Sequence, residues 1–414
     1  VTWKQDHRVN LERFWDTIAQ SAEIGIGRPG GLSRLSLTDS DKTMRDLFRG
    51  WCESAGLHVT IDELGNIFGR RAGLDDTLPP VFIGSHLDTQ INGGRFDGIA
   101  GVLAGLELCR TLNDVGYRTK RPIVVVNWTN EEGARFSPPM VASGCFSGKY
   151  TADWVRDRIS DDGARFGAEL ERIGYRGSQP CGGYPVDSYF ELHIEQGPVL
   201  HAEGRQIGIV IDSLHCHGML VEFSGETAHT GPWPMELRKN ALVAGARWLT
   251  AVDDIGWEYA GTGGKATAAR LSAWPNKPGI LSDHAIAVCD VRHSDPTTAR
   301  VMVEKMKRSL GEAAAKAGCS YEVGDEWWYG GEIFDPTLVI LIRDLARQLG
   351  FNYRDLPSQA SHDAYYMASY CPTAMIFVPC KGGITHNNLE SCELSDFEAG
   401  ANVLLHAVVA RADR

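Results

Sequence analysis

Two short apolar runs constrain this chain most: PPVFIGSHLDT at residues 79–89 and RPIVVVNWTNEEG at residues 121–133, each stopping abruptly in imidazole or carboxylate side chains. A run without polar alternation is a strand covered on both faces. Between them, after a Gly-rich stretch, IAGVLAGLELCRTLNDVG reads as a buried helix. Strand, loop, helix, strand is the rhythm of a mixed, mostly parallel sheet with helices on both faces, so the predicted class is α/β. Ligands of such sheets sit at the carboxyl ends of the strands. His86, Asp88, Glu131 and Glu132 all fall there.

The flanking sequence fits this frame. Residues 9–22 and 41–56 have helical spacing, and VTIDELGNIFGRRAG predicts a hairpin turning at Gly65-Asn66. Between about 214 and 330 the character changes. LHCHGMLVEFSG, KATAARLSAW, HAIAVCDVRHSD and SYEVGDEWW read as strands, and MELRKNALVAGARWLTAVDD and TTARVMVEKMKRSLGEAAAKAG as helices. That βαββαβ order is the ferredoxin-like α+β plan, which leaves a sheet face or edge for a partner. The chain then resumes alternation. Residues 1–213 and 331–414 are therefore expected to form one domain, with 214–330 inserted into it.

Bulk properties exclude some classes. A length of 414 residues suits two domains, and a net charge of −12 argues against nucleic acid or anionic membrane as partners. No apolar run approaches the ~20 residues a membrane span needs. The opening VTWKQDHRVNLERFW lacks the pattern of a secretory signal. Ten cysteines without a C-x-x-C pair suit a reducing compartment, so a cytoplasmic enzyme is expected.

The chemistry concentrates in GSHLDTQINGGRFDGIAG, residues 84–101, which brings His86, Asp88 and Asp97 into one loop region with four glycines after residue 92. Imidazole with carboxylate suits zinc, manganese, cobalt or nickel. Asp88 is placed to hydrogen-bond the second imidazole nitrogen of His86 and fix its tautomer. The same segment also reads as a surface loop with solvated charges. Adjacent Glu131 and Glu132 repel each other, and burial calls for a compensating cation. One can ligate metal while the other takes a proton from water; the plainer reading is an acid-rich helix N-terminus. His193 in YFELHIEQGPVL and His386 in FVPCKGGITHNNLE are, singly, ordinary core or loop histidines. With the acidic loops they complete a two-metal set.

Together, GSHLDTQINGGRFDG, TNEEGARF, ELHIEQGPVL, AHTGPWPMELRKNAL, DVRHSD, SHDA and GGITHNNLE resemble the hydantoinase/carbamoylase branch of the M20 metallopeptidase superfamily. That branch contains N-carbamoyl-L-amino acid hydrolases, beta-ureidopropionases and allantoate or ureidoglycolate amidohydrolases. The resemblance covers nearly the whole chain. It implies a Zn-exopeptidase-like catalytic domain with an inserted lid and dimerisation domain. It further implies two divalent ions (Zn, Mn, Co or Ni) bridged by Asp97, one completed by His86 and His193, the other by Glu132 and His386. Glu131 would be the general base and His229 would stabilise the oxyanion. Gln196, Asn276 and Arg292 would hold the substrate, part of the set coming from a neighbouring subunit of a homodimer.

Residue chemistry supports these roles. Arg292 follows a predicted strand, and its planar guanidinium suits a carboxylate, although a surface ion pair is the commoner use. His229 lies in a Gly/Pro-bounded turn, where an imidazolium can meet developing negative charge; alone it is an ordinary loop histidine. Trp233, Gln359, Asn387 and Asn388 depart from the family pattern at positions able to line the pocket. The expected reaction is hydrolysis of a linear C–N bond in a ureido or amide carboxylate, giving amino acid, carbon dioxide and ammonia from an N-carbamoyl substrate. The alternatives are an aminopeptidase or dipeptidase of the same superfamily, and a non-catalytic protein that metal only stabilises.

Overall fold

A computed structural model describes residues 2–27 and 30–414, and the chain divides into two compact units, Val1–Asp212 with Glu332–Arg414, and Ser213–Gly331. The first unit holds an eight-stranded sheet of β1 (His58–Ile61), β2 (Ile67–Arg71), β3 (Val81–His86), β4 (Ile123–Trp128), β5 (Ser188–Ile194), β6 (Ile207–Ser213), β11 (Tyr353–Ser358) and β12 (Thr373–Val378). Their order across the sheet is β1-β2-β4-β3-β5-β12-β6-β11.

The four central strands β4, β3, β5 and β12 run parallel. Every residue in them is buried, which is why their sequences do not alternate. Outside them the sheet is mixed, as expected. The β1–β2 hairpin joins β4 antiparallel, and β6 joins β12 antiparallel. A tight turn can only reverse a strand, so the hairpin at the margin breaks the parallel pattern. The helix Ile99–Asp114 buries thirteen of its sixteen residues. Register aligns the functional ends: His86 pairs with Trp128, and His193 with Phe377.

The second unit is a four-stranded antiparallel sheet of β7 (His215–Ser224), β8 (Lys265–Trp274), β9 (His284–His293) and β10 (Ser320–Tyr329), in the order β10-β7-β9-β8. The helices Ala241–Tyr259 and Pro296–Lys316 pack against it around Met219, Phe223, Trp248, Ala287 and Met306. The Trp248 indole N–H donates to the Met306 carbonyl at 3.1 Å, so the ring is buried without an unpaired donor. Asp295 caps the second helix by accepting from Thr298 N, with Pro296 at the first turn. At the edge, β8 exposes most of its side chains.

Candidate metal centre

β3 ends at His86, and the chain then turns so that the Asp88 carbonyl oxygen meets His86 Nδ1 at 2.8 Å. Nδ1 therefore donates, and the Nε2 lone pair faces inward. This corrects the expected role of Asp88. Its carboxylate lies 3.9 Å from His86 Nδ1 and instead accepts from Glu131 N (3.3 Å) and Glu132 N (3.4 Å). The backbone carbonyl of the turn reaches the imidazole first, which frees the side chain to brace the glutamate loop.

On β5, His193 is held in the same tautomer: Nδ1 faces the Ile194 carbonyl at 2.9 Å. Asp97 sits between the two imidazoles. Its Oδ1 is 3.8 Å from His86 Nε2 and 3.3 Å from His193 Nε2. Its Oδ2 faces the other way, 3.2 Å from His386 Nε2, and accepts from Gln196 Nε2 at 2.7 Å. Glu132 Oε2 is 3.4 Å from His386 Nε2, and Glu131 Oε2 is 3.4 Å from His86 Nε2. Three groups result among the described residues, His86–Asp97–His193, Asp97–Glu132–His386 and Glu191–His193–His362, each with donor atoms within 4.8 Å of one another. The first two share Asp97. The glycine after it is required: Gly98 has φ 68°, and a Cβ there would lie 2.2 Å from His86 Nε2.

The electrostatics suit a cation. Among the described residues, the ion-pair partners of Asp97, Glu131 and Glu132 are histidines rather than Lys or Arg. Burial pushes the Glu131 carboxyl well up, reinforced by Asp363, Glu132, Asp88 and Asp97. Burial also raises Glu132, to about 7. Burial lowers His86 to about 4. For His193 burial works against the charge, but Asp97 prevails and raises it to about 8. His386 rises to about 10 because Glu132 and Asp97 outweigh burial. Gln196 Oε1 is buried without a hydrogen-bond partner among the described residues. Crowded carboxylates, inward imidazole lone pairs and an orphaned amide oxygen fit divalent cations.

Four residues that the sequence reasoning gave no role also pack here. Gln90 donates to Glu132 from its backbone N (3.1 Å to Oε1) and its side chain (3.0 Å to Oε2). His362 packs its ring 4.3 Å from that of His193. Glu191, two residues before His193 on β5, accepts from Ser85 (2.8 Å), Tyr189 (3.0 Å) and Ala364 N (3.1 Å). Glu390 accepts from Phe96 N and Asp97 N. All four lie in segments that carry the family resemblance, GSHLDTQINGGRFDG, ELHIEQGPVL, SHDA and GGITHNNLE, but no spacing within those segments assigned them a role.

His229, Asn276 and Arg292 belong to the second unit. His229 is exposed in its turn, and its Nδ1 accepts from Gly231 N at 3.1 Å. Arg292 on β9 directs Nε and Nη2 to the Asp290 carboxylate, both at 3.1 Å, which gives the guanidinium a standing partner. Asn276 has φ 46°, and in the first unit Gln196 has 57° and His386 51°. Backbone strain of this kind concentrates at functional positions. Trp233 donates its indole N–H to Leu237 O, Asn387 accepts from Leu389 N, and Gln359 and Asn388 are exposed.

Comparison with known proteins agrees with the geometry. Residues 82–410 match Peptidase family M20/M25/M40. An N-carbamoyl-L-amino-acid amidohydrolase of Rhizobium meliloti is 42% identical over 99% of this chain and 98% of its own. One from Paenarthrobacter aurescens is 32% identical over 97% and 98%. The crystal structure of an amidase of the hydantoinase/carbamoylase family from Burkholderia vietnamiensis superposes with a TM-score of 0.97 at 43% identity, covering all of both chains. With that likeness running end to end, this chain belongs to the M20/M25/M40 family, in its hydantoinase/carbamoylase branch, and is a hydrolase of carbon–nitrogen bonds.

Proposed function

We propose that the protein hydrolyses the linear C–N bond of an N-carbamoyl amino acid or a closely related ureido acid, using two divalent ions. The observation that carries this reading is Asp97, whose two carboxylate oxygens face two separate donor sets. His86 and His193 would complete one ion's ligands, and Glu132 and His386 the other's. Zn²⁺, Mn²⁺, Co²⁺ and Ni²⁺ all suit these donors. Ions bound there supply Lewis acidity, which acidifies water and polarises a carbonyl.

The rest is done by this chain. Glu131 accepts a proton from the attacking water and passes it to the leaving nitrogen. Burial holds its carboxyl well above the ordinary carboxylate range, which makes it a stronger proton acceptor than an exposed glutamate. Gln196, already anchored on Asp97, directs its amide toward the reacting group. In the second unit His229 stabilises the oxyanion, and Arg292 with Asn276 holds the substrate carboxylate. The relatives named as N-carbamoyl-L-amino-acid amidohydrolases favour an L-amino acid product, released with carbon dioxide and ammonia. The second unit would serve as lid and as the dimer contact, through the exposed edge of β8. No helix among the described residues is long and apolar enough to cross a membrane. All ten cysteines are free thiols, which favours the cytoplasm.

The test is ammonia release by metal-free protein reconstituted with each of the four ions. The panel is N-carbamoyl-L- and D-amino acids, N-carbamoyl-β-alanine, allantoate and ureidoglycolate. Metal-dependent release from one of them is expected. Silence across the panel with amine release from dipeptides would replace this reading with a peptidase. If removing metal lowered only the melting temperature, the ions would be structural.

A further inference from the structure

The two donor sets around Asp97 are not equally built. His86 and His193 stand at or near the ends of buried strands, each with Nδ1 held by a backbone carbonyl. His386 rides on an exposed loop at φ 51°, outside any strand or helix. Something else must hold His386 and Asp97 Oδ2 together. Glu390 spans that gap. It is 5% exposed, and its Oε1 accepts from Phe96 N at 2.8 Å and Asp97 N at 3.2 Å. Its Oε2 meets Thr385 Oγ1 at 2.9 Å, in the residue just before His386. Thr385 Oγ1 also lies 3.0 Å from Asp97 Oδ2. Glu390 N closes the loop on Asn387 O at 3.0 Å. The carboxylate is seated against Gly94, where a Cβ would come within 2.0 Å of it.

We propose that Glu390 is a positioning residue for the second ion alone: with Thr385 it ties the Asp97 turn to the His386 loop and so sets the Asp97–Glu132–His386 site. The inference rests on the two-ion reading above. Glu390 takes two backbone N–H groups on Oε1, shares the one Thr385 hydroxyl proton with Asp97 through Oε2, and belongs to no donor group, so it acts through its neighbours and not as a ligand. The donors near Asp97 Oδ1 are placed by the sheet and do not depend on it.

The experiment titrates metal-free full-length protein with Zn²⁺ and, separately, Mn²⁺ by calorimetry, with ion content counted after gel filtration. Wild type is expected to bind two ions. Glu390→Ala is expected to keep the first at unchanged affinity and to weaken the second about 10–100-fold. Its kcat should fall at limiting metal and recover with excess, with KM little changed. Glu390→Gln keeps an oxygen for the backbone N–H groups and should recover most of the second-ion affinity. Thr385→Val removes only the hydroxyl link and should weaken the second ion while leaving the melting temperature near wild type, which serves if Glu390→Ala does not fold. Unchanged second-ion affinity in these variants, or equal weakening of both ions, overturns the proposal. Wild type binding fewer than two ions would instead defeat the two-ion reading itself, and this inference with it.

Discussion

At Asp97 one short side chain meets three imidazoles, an amide and a hydroxyl, so small changes around it report on distinct functions. Glu131 faces His86 but lies outside all three donor groups. Glu131→Gln should therefore keep two ions and lose about 10²–10⁴-fold in turnover, as removal of a general base does. Ion counting beside steady-state rates checks this, and near-normal turnover would exclude Glu131 as the base. Asp88 tests a different link, because its carboxylate braces the backbone N–H groups of Glu131 and Glu132. Asp88→Ala should lower metal affinity about 10–100-fold and depress turnover, whereas Asp88→Asn, which keeps one acceptor, should lose less. Equal affinities in the two variants would show that this brace does not matter.

Elements place these residues, and their own stability can be probed. The β1–β2 hairpin turns on Asp62, which is fully buried and accepts from Leu64 N, Asn66 N and the Asn66 side chain. Burial nevertheless pushes its carboxyl up to about 6 from 3.8. A raised carboxyl means the folded chain holds its proton more tightly than the unfolded one. Its stabilisation is complete below the ordinary pKa and is lost as pH rises through about 6. Asp62→Asn cannot ionise, so wild type should lose stability relative to this variant between pH 4 and pH 7, on the order of 1.4 kcal/mol per pKa unit. Denaturant melts at both pH values measure the difference; a constant gap would show that Asp62 is not raised. One turn further into the site, Gly98 permits helix Ile99–Asp114 to begin against His86. Gly98→Ala adds a Cβ at positive φ onto the imidazole and should displace it, costing the first ion and lowering the melting temperature. An unchanged ion count would contradict the close approach.

For the whole molecule, the exposed edge of β8 predicts association. Light scattering should find a dimer at micromolar concentration, and Ala268→Lys with Ala269→Lys, both exposed on that edge, should give a monomer. A dimer that survives both lysines places the interface elsewhere. What was legible in the sequence follows from range. The all-apolar runs of β3 and β4, the βαββαβ order of the second unit and the clustered His, Asp and Glu are local patterns, because burial on both faces and helical periodicity act over a few residues. The family resemblance extended this to His193 and His386, which no local pattern marks. The rest was decided by chain reversals that bring distant groups together. Asp88 acts through its carbonyl because a turn, not a spacing, chooses which oxygen reaches the imidazole. Gln90 meets Glu132 across 42 positions, and Glu390 meets Phe96 across 294. By itself the sequence determined which residue types stand at the strand ends and hence the chemistry available. Only the tertiary structure decided which atoms face one another, since a hydrogen bond depends on direction and tenths of an ångström that residue order does not carry.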